Sequence, residues 1–130
     1  EGGFTAVEEA KLFVEQTGVD ALAIAIGSAH GFYKAAPKLN IERLKEIHQA
    51  INTVLVLHGS SGIPKTMIQE AIRNGISKVN LATEIKDIFM RTLKNVLMNS
   101  DEIDLRKVFP VAIDAVVNLL TEKYEIVKTT

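Results

Sequence analysis

The sequence predicts an α/β fold with about three parallel strands and flanking helices. Short apolar runs begin near residues 21, 53 and 77, which places them 32 and 24 residues apart. Stretches with helical periodicity fill the intervals between them. This spacing is typical of a βα unit, because parallel strands need a long crossover connection, usually a helix. Apolar strands alternating with amphipathic helices predict a parallel sheet with both faces covered.

The first unit is a helix followed by a strand. Thr5 and Glu8 have the spacing of a capping box and predict the start of the helix. Gly18 predicts its end, because glycine readily takes the left-handed conformation that closes a helix. Residues 21–26 form a continuously apolar run that stops at Gly27, as expected of a strand buried on both faces.

The second and third units repeat this order. Asn40 predicts the N-cap of a helix, and Val54–Leu57 is the next apolar run. Pro64 suits the first turn of a third helix, which closes at Gly75. Residues 76–81 are the third predicted strand.

Two further helices are predicted after the third strand. The first covers roughly residues 83–98, and the second covers 104–124, with Pro110 kinking or restarting it. A complete (β/α)8 barrel takes about 250 residues. If these units belong to such a barrel, the chain would supply about half of it, and its open edge would need a partner.

Composition and charge exclude several classes of protein. The 130 residues carry 15 Lys and Arg against 16 Asp and Glu, which argues against a nucleic-acid-binding protein because such proteins show a basic excess. The apolar runs fall short of the roughly 18 to 20 residues that span a bilayer, and the first residues lack the pattern of a secretory signal. Cysteine is absent, which rules out disulfides and thiolate metal ligands. We therefore expect a soluble, cytoplasmic single domain.

Polar residues follow each predicted strand, at the sheet edge where α/β proteins carry their chemistry. His30 and Gly31 follow the first strand, and His58 and Gly59 follow the second. Two histidines at the carboxyl ends of adjacent parallel strands could converge on one zinc ion. The alternative is that each is a hydrogen-bonded structural residue. Catalytic zinc sites use three protein ligands, so a third ligand would come from elsewhere.

Two of these strand ends also have the composition of phosphate-binding loops. Residues 59–62 are small and lead directly into a helix, so that backbone N–H groups can approach an anion. Residues 80–83 precede the next helix in a similar way. The alternative is a pair of ordinary βα loops, with Thr83 as a helix N-cap. Together with the paired histidines, the two loops suggest a phosphorylated substrate and a metal.

At these motifs the sequence closely resembles the class II, zinc-dependent ketose-bisphosphate aldolases. The resemblance rests on residues 25–31, 57–62 and 78–84, in that order. The form Asn-Leu-Ala-Thr-Glu is more similar to the tagatose-bisphosphate than to the fructose-bisphosphate enzymes. The resemblance implies that residues 1–130 are the C-terminal portion of a (β/α)8 TIM barrel. It also implies cleavage of a ketose bisphosphate into dihydroxyacetone phosphate and an aldehyde phosphate.

The resemblance further implies roles for individual residues. His30 and His58 would be two of the three ligands of Zn2+. As a Lewis acid, the metal would polarise the substrate carbonyl and stabilise the enediolate. Dihydroxyacetone phosphate would be held by residues of the strand-end loops: Gly31, Gly59, Ser60, Ser61, Asn80, Leu81, Ala82 and Thr83.

The resemblance leaves the catalytic set incomplete. Family members carry a third histidine ligand and a catalytic aspartate in the N-terminal half of the barrel, so none of the residues here is assigned as the proton donor. We expect little or no turnover from the isolated chain. Its expected partners are the missing N-terminal half of the barrel and further copies in a homo-oligomer. The alternative is a non-catalytic phosphate-binding or interaction module, which would not need two convergent imidazoles.

Overall fold

A computed structural model describes residues 3–29, 31, 33 and 37–128 of the chain. Its three strands are all parallel and lie in the order β1-β2-β3, which confirms the predicted sheet. The strands are β1 Ala21–Ala23, β2 Val54–Leu57 and β3 Ile76–Val79. The helices are α1 Val7–Thr17, α2 Ile41–Ala50, α3 Lys65–Arg73, α4 Thr83–Met98 and α5 Leu105–Val127.

The core lies between one face of the sheet and the helices. Leu22, Leu55 and Ile76 are in register across the three strands, and Leu55 and Ile76 are buried. Leu44 and Ile47, on the inner face of α2, are fully buried in the same cluster. Because the strands are parallel, their carboxyl ends all lie at one edge of the sheet.

The first strand is shorter and more exposed than predicted. It covers only Ala21–Ala23, and its alanines are exposed, whereas Ile24 and Ile26 beyond it are buried. Side chains alternate between faces along a strand, so only one face of this segment packs against the helices. The prediction of burial on both faces is therefore wrong, because the described residues leave the face that carries Ala21 and Ala23 uncovered, and Val54, the partner of Ala21 on the central strand, is also exposed.

The predicted capping box of the first helix is also wrong. The N-cap of α1 is Ala6, whose N–H donates to the Glu9 carboxylate over 3.3 Å. Thr5 instead pairs with Ala25: its hydroxyl accepts from the Ala25 N–H at 2.8 Å, and its own N–H donates to the Ala25 carbonyl at 2.9 Å. Gly18 ends the helix in the left-handed conformation, as predicted.

The remaining helices lie close to their predicted positions, and α4 has the predicted bounds, Thr83–Met98. Asn40 caps α2 as predicted, because its side chain accepts a hydrogen bond from the Arg43 N–H at 3.0 Å. Pro64 is the N-cap of α3 rather than part of its first turn. The helix α5 is continuous through Pro110 and is not restarted there. Within the described residues, the helices lack the combined length and apolarity that a membrane span requires.

Candidate functional site

The carboxyl ends of β2 and β3 enclose a pocket of about 310 Å³. Because the two strands are adjacent and parallel, the loops that follow them lie side by side at one edge of the sheet. The lining residues are His58, Gly59, Ser61, Asn80, Leu81, Ala82 and Thr83. The structure therefore brings together in one cavity most of the residues that the sequence analysis singled out, although they come from two separate segments.

The loop after β2 folds tightly against the loop after β1. Gly59 has a φ of 64°, and a Cβ atom on it would lie 2.2 Å from the Ala29 carbonyl oxygen. A residue with a side chain cannot approach so closely, so glycine is required both for the backbone angle and for the contact. Gly31, by contrast, has open space around it and is half-buried. His30 lies outside the described residues.

Tyr33 joins these two loops, and the sequence analysis did not identify it. Its hydroxyl accepts a hydrogen bond from the Ala29 N–H at 2.7 Å and donates one to the Gly59 carbonyl at 2.8 Å. The two backbone groups belong to the neighbours of His30 and His58. Both partners are backbone atoms, so no pattern of side chains in the sequence could have indicated the contact.

The two serines of the second loop attach it to the third. Ser60 is fully buried, and its hydroxyl donates to the Asn80 carbonyl. Ser61 is 2% exposed, and its hydroxyl accepts a hydrogen bond from the Glu84 N–H at 3.3 Å. Thr83 is the first residue of α4, and Ala82 is its N-cap, so the alternative role of Thr83 as N-cap is not observed. The loops after β2 and β3 thus form one connected unit.

Asn80 connects this unit to His58. Its side-chain nitrogen lies 3.4 Å from Nδ1 and 3.5 Å from Nε2 of the half-buried His58 ring. Its side-chain oxygen accepts a hydrogen bond from the Lys78 ammonium, and its backbone N–H donates to the Leu57 carbonyl at 2.9 Å. Lys78, which the sequence analysis did not assign, therefore fixes which end of the Asn80 amide faces the histidine.

The family model of class-II fructose-bisphosphate aldolases matches residues 1–130, the whole chain. The chain belongs to this family. The prediction made from the strand-end motifs is confirmed at the level of the family.

Solved aldolase structures share the fold. The YdjI aldolase from Escherichia coli K12 superposes with a TM-score of 0.85 at 36% identity, over 96% of this chain and 46% of that one. A Coccidioides immitis protein assigned as a fructose-1,6-bisphosphate aldolase superposes with a TM-score of 0.88 at 26% identity. The match covers 98% of this chain and 44% of that one. Fructose-bisphosphate aldolase from Campylobacter jejuni is 22% identical and matches in fold with a TM-score of 0.76. The match covers 95% of this chain and 45% of that one.

This aldolase-family chain therefore forms part of a TIM barrel. It spans slightly less than half the length of each of these relatives. The described residues form three strands and five helices, whereas a complete barrel has eight of each. The predicted fold class is confirmed.

The donor chemistry of this aldolase-family pocket suits zinc only in part. The imidazole of His58 is a common zinc ligand, and it lines the pocket. The residues that the structure describes contain no group of three side chains able to hold a metal ion. A catalytic zinc needs three protein ligands, so a complete site requires ligands beyond these residues.

Proposed function

We propose that this chain supplies one side of the active site of a zinc-dependent ketose-1,6-bisphosphate aldolase. The substrate would be tagatose or fructose 1,6-bisphosphate, cleaved to dihydroxyacetone phosphate and glyceraldehyde 3-phosphate. The observation that carries the proposal is a pocket at the carboxyl ends of β2 and β3 that is lined both by His58 and by residues 80–83. An imidazole and a small-residue loop in one cavity fit a metal-assisted reaction on a phosphorylated substrate.

His30 and His58 would be two of the ligands of the metal. Bound zinc would supply Lewis-acid chemistry, lowering the cost of negative charge on the ketose carbonyl oxygen. The Asn80 amide touches the His58 ring, so it would restrict the movement of the imidazole. Lys78 in turn holds the Asn80 amide.

The phosphate of dihydroxyacetone phosphate would bind between the loops after β2 and β3. Gly59, Ser61 and residues 80–83 line this space, and α4 begins there with the positive end of its dipole. Gly31 and Ser60 would contribute through backbone groups, because the Ser60 hydroxyl already donates to Asn80. Binding the phosphate would orient the reacting carbons some distance away.

The proton donor and the third metal ligand would come from a part of the barrel outside this chain. We therefore expect the 130-residue chain alone to bind zinc weakly and to turn over little or no substrate. We also predict, from the family resemblance, that the enzyme is a homo-oligomer in the cytoplasm. Its expected role is in carbohydrate metabolism such as glycolysis.

The test compares two histidine variants in the full-length protein that contains this chain. Dihydroxyacetone phosphate released from tagatose and fructose 1,6-bisphosphates is measured by a coupled assay, with and without added zinc. His58→Ala should lower kcat/KM by about a hundredfold or more. His48→Ala is the matched control, because His48 is exposed on α2, and it should change little.

The outcome separates the enzyme from its alternative. Zinc-dependent release that His58→Ala abolishes supports the aldolase. Phosphate binding without release of dihydroxyacetone phosphate from either sugar would instead indicate a non-catalytic phosphate-binding module. Equal activity of His58→Ala and His48→Ala would refute the role of His58 as a metal ligand.

A further inference from the structure

Glu84 lies in the first turn of α4 and connects this helix to the loop after β2 and to α5. One oxygen of its carboxylate accepts a hydrogen bond from the Gly62 N–H, and the other pairs with the ammonium of Lys123 on α5. Its backbone N–H donates to the Ser61 hydroxyl at 3.3 Å. Ser61 lines the pocket, so Glu84 holds a pocket-forming residue through one contact and the adjacent glycine through another.

The Glu84–Lys123 pair is more buried than the other ion pairs on α5. The side chains of Lys123 and Glu84 are 15% and 17% exposed, whereas Lys107 and Glu102 are 66% and 32% exposed. Partly buried charges are screened less by water and salt than exposed ones. The charge of Glu84 would therefore act on the neighbouring pocket if it had no partner of opposite sign.

We propose that Glu84 and Lys123 are positioning residues for the phosphate end of the substrate, an inference that rests on the proposed function. The Glu84 carboxylate holds the loop after β2 against the first turn of α4, which keeps the backbone N–H groups of the two loops at a fixed spacing. Lys123 cancels the negative charge that would otherwise repel a phosphate monoester. A residue of α5 thereby sets the affinity of a pocket that it does not line.

The first experiment measures binding of inorganic phosphate to the full-length protein by calorimetry. Lys123→Met should raise the Kd for phosphate roughly tenfold, the effect of one uncompensated, partly screened charge. Lys107→Met is the matched control, since it removes a lysine of an exposed pair on the same helix, and it should leave the Kd unchanged. Equal Kd values for the two variants would overturn the proposal.

A double variant separates charge from packing. In Glu84→Gln combined with Lys123→Met, the amide oxygen can still accept from the Gly62 N–H, and the uncompensated charge is gone. If Lys123 acts by neutralising the Glu84 charge, the Kd for phosphate should return to within about threefold of the value of the unaltered protein. A merely structural pair would leave the double variant at least as weak as Lys123→Met, and that result would overturn the proposed neutralisation. Should Lys123→Met not fold, Lys123→Gln replaces it.

Turnover of ketose bisphosphates is measured on the same proteins. Lys123→Met should raise KM by about the same factor as the phosphate Kd and lower kcat less. If neither the unaltered protein nor its variants turn over substrate but phosphate binding follows the expected pattern, the proposed function fails and this inference stands. If turnover is normal and Lys123→Met behaves like Lys107→Met, this inference fails and the proposed function stands. Absence of phosphate binding to the unaltered protein overturns the inference in either case.

Discussion

Replacing Tyr33 with phenylalanine removes one hydroxyl that joins the loops after β1 and β2. That hydroxyl makes two hydrogen bonds, from the Ala29 N–H at 2.7 Å and to the Gly59 carbonyl at 2.8 Å. Ala29 is exposed, so water can replace the first bond, whereas the second is partly buried and loses its donor. At about 0.5–1.5 kcal/mol per bond, we expect Tyr33→Phe to lower the free energy of unfolding by about 1–2 kcal/mol.

Urea unfolding of the full-length protein, followed by circular dichroism, measures this change. The midpoint should fall by about 0.5 M while the slope stays constant, because the surface exposed on unfolding is the same. A second measurement is the zinc affinity by competition with a chelator. The Kd should rise roughly tenfold, since Tyr33 contacts the backbone of both neighbours of the predicted ligands.

Tyr124→Phe is the matched control for this prediction. Tyr124 lies on α5 and is 71% exposed, so losing its hydroxyl should change neither stability nor zinc affinity. If Tyr33→Phe and Tyr124→Phe have the same midpoint and the same zinc Kd, the hydroxyl of Tyr33 does not hold the two loops together.

Three further predictions concern stability in urea unfolding. Gly59→Ala should cost about 3 kcal/mol or more because of its clash with Ala29, whereas Gly18→Ala, with nearly the same φ of 62° and open space, should cost about 1 kcal/mol; equal costs would contradict the clash. Ser60→Ala should cost about 1–3 kcal/mol, because it leaves the Asn80 carbonyl without its buried donor; an unchanged midpoint would show that this bond contributes nothing. The hydrogen bonds from Arg106 lower the pKa of Asp104, so its stabilising effect should be present above its ordinary value of 3.8 and disappear as the pH falls through the lowered pKa. Asp104→Asn should therefore be less stable than the original protein at neutral pH and equal to it in strong acid; a difference that stays constant with pH would contradict this.

Much of the fold is encoded locally and could be predicted from the sequence. Asn40 and Gly18 mark helix ends through interactions within a few residues of themselves, so both predictions hold. The apolar runs at β2 and β3 identify strands whose neighbours in the sheet are also neighbours in the chain. Their parallel arrangement places the two following loops at one edge, which is why the pocket could be anticipated from strand-end motifs.

Predictions failed where a residue's partner lies far away in the chain. Thr5 has the spacing of a capping residue, but pairing with Ala25 satisfies both its hydroxyl and its backbone N–H. The alanines of β1 were predicted to be buried because they are apolar, yet their exposure depends on what covers that face of the sheet. Neither a distant competing partner nor the covering of a sheet face is visible in a local pattern.

The sequence by itself determined the α/β class, the family and the segments that form the pocket, because each depends on the order and spacing of residues along the chain. Only the tertiary structure showed that Tyr33 joins two loops, that Lys78 orients Asn80 and that Lys123 pairs with Glu84. The contacts of Tyr33 with Gly59 and of Lys123 with Glu84 join residues that packing brings close from distant parts of the chain, and Tyr33 does so through a backbone group that every residue shares. Lys78 lies two residues from Asn80, but their contact depends on the side-chain conformations of the folded protein. The formation of these contacts depends on distances in the folded protein, which the spacing of residues does not encode.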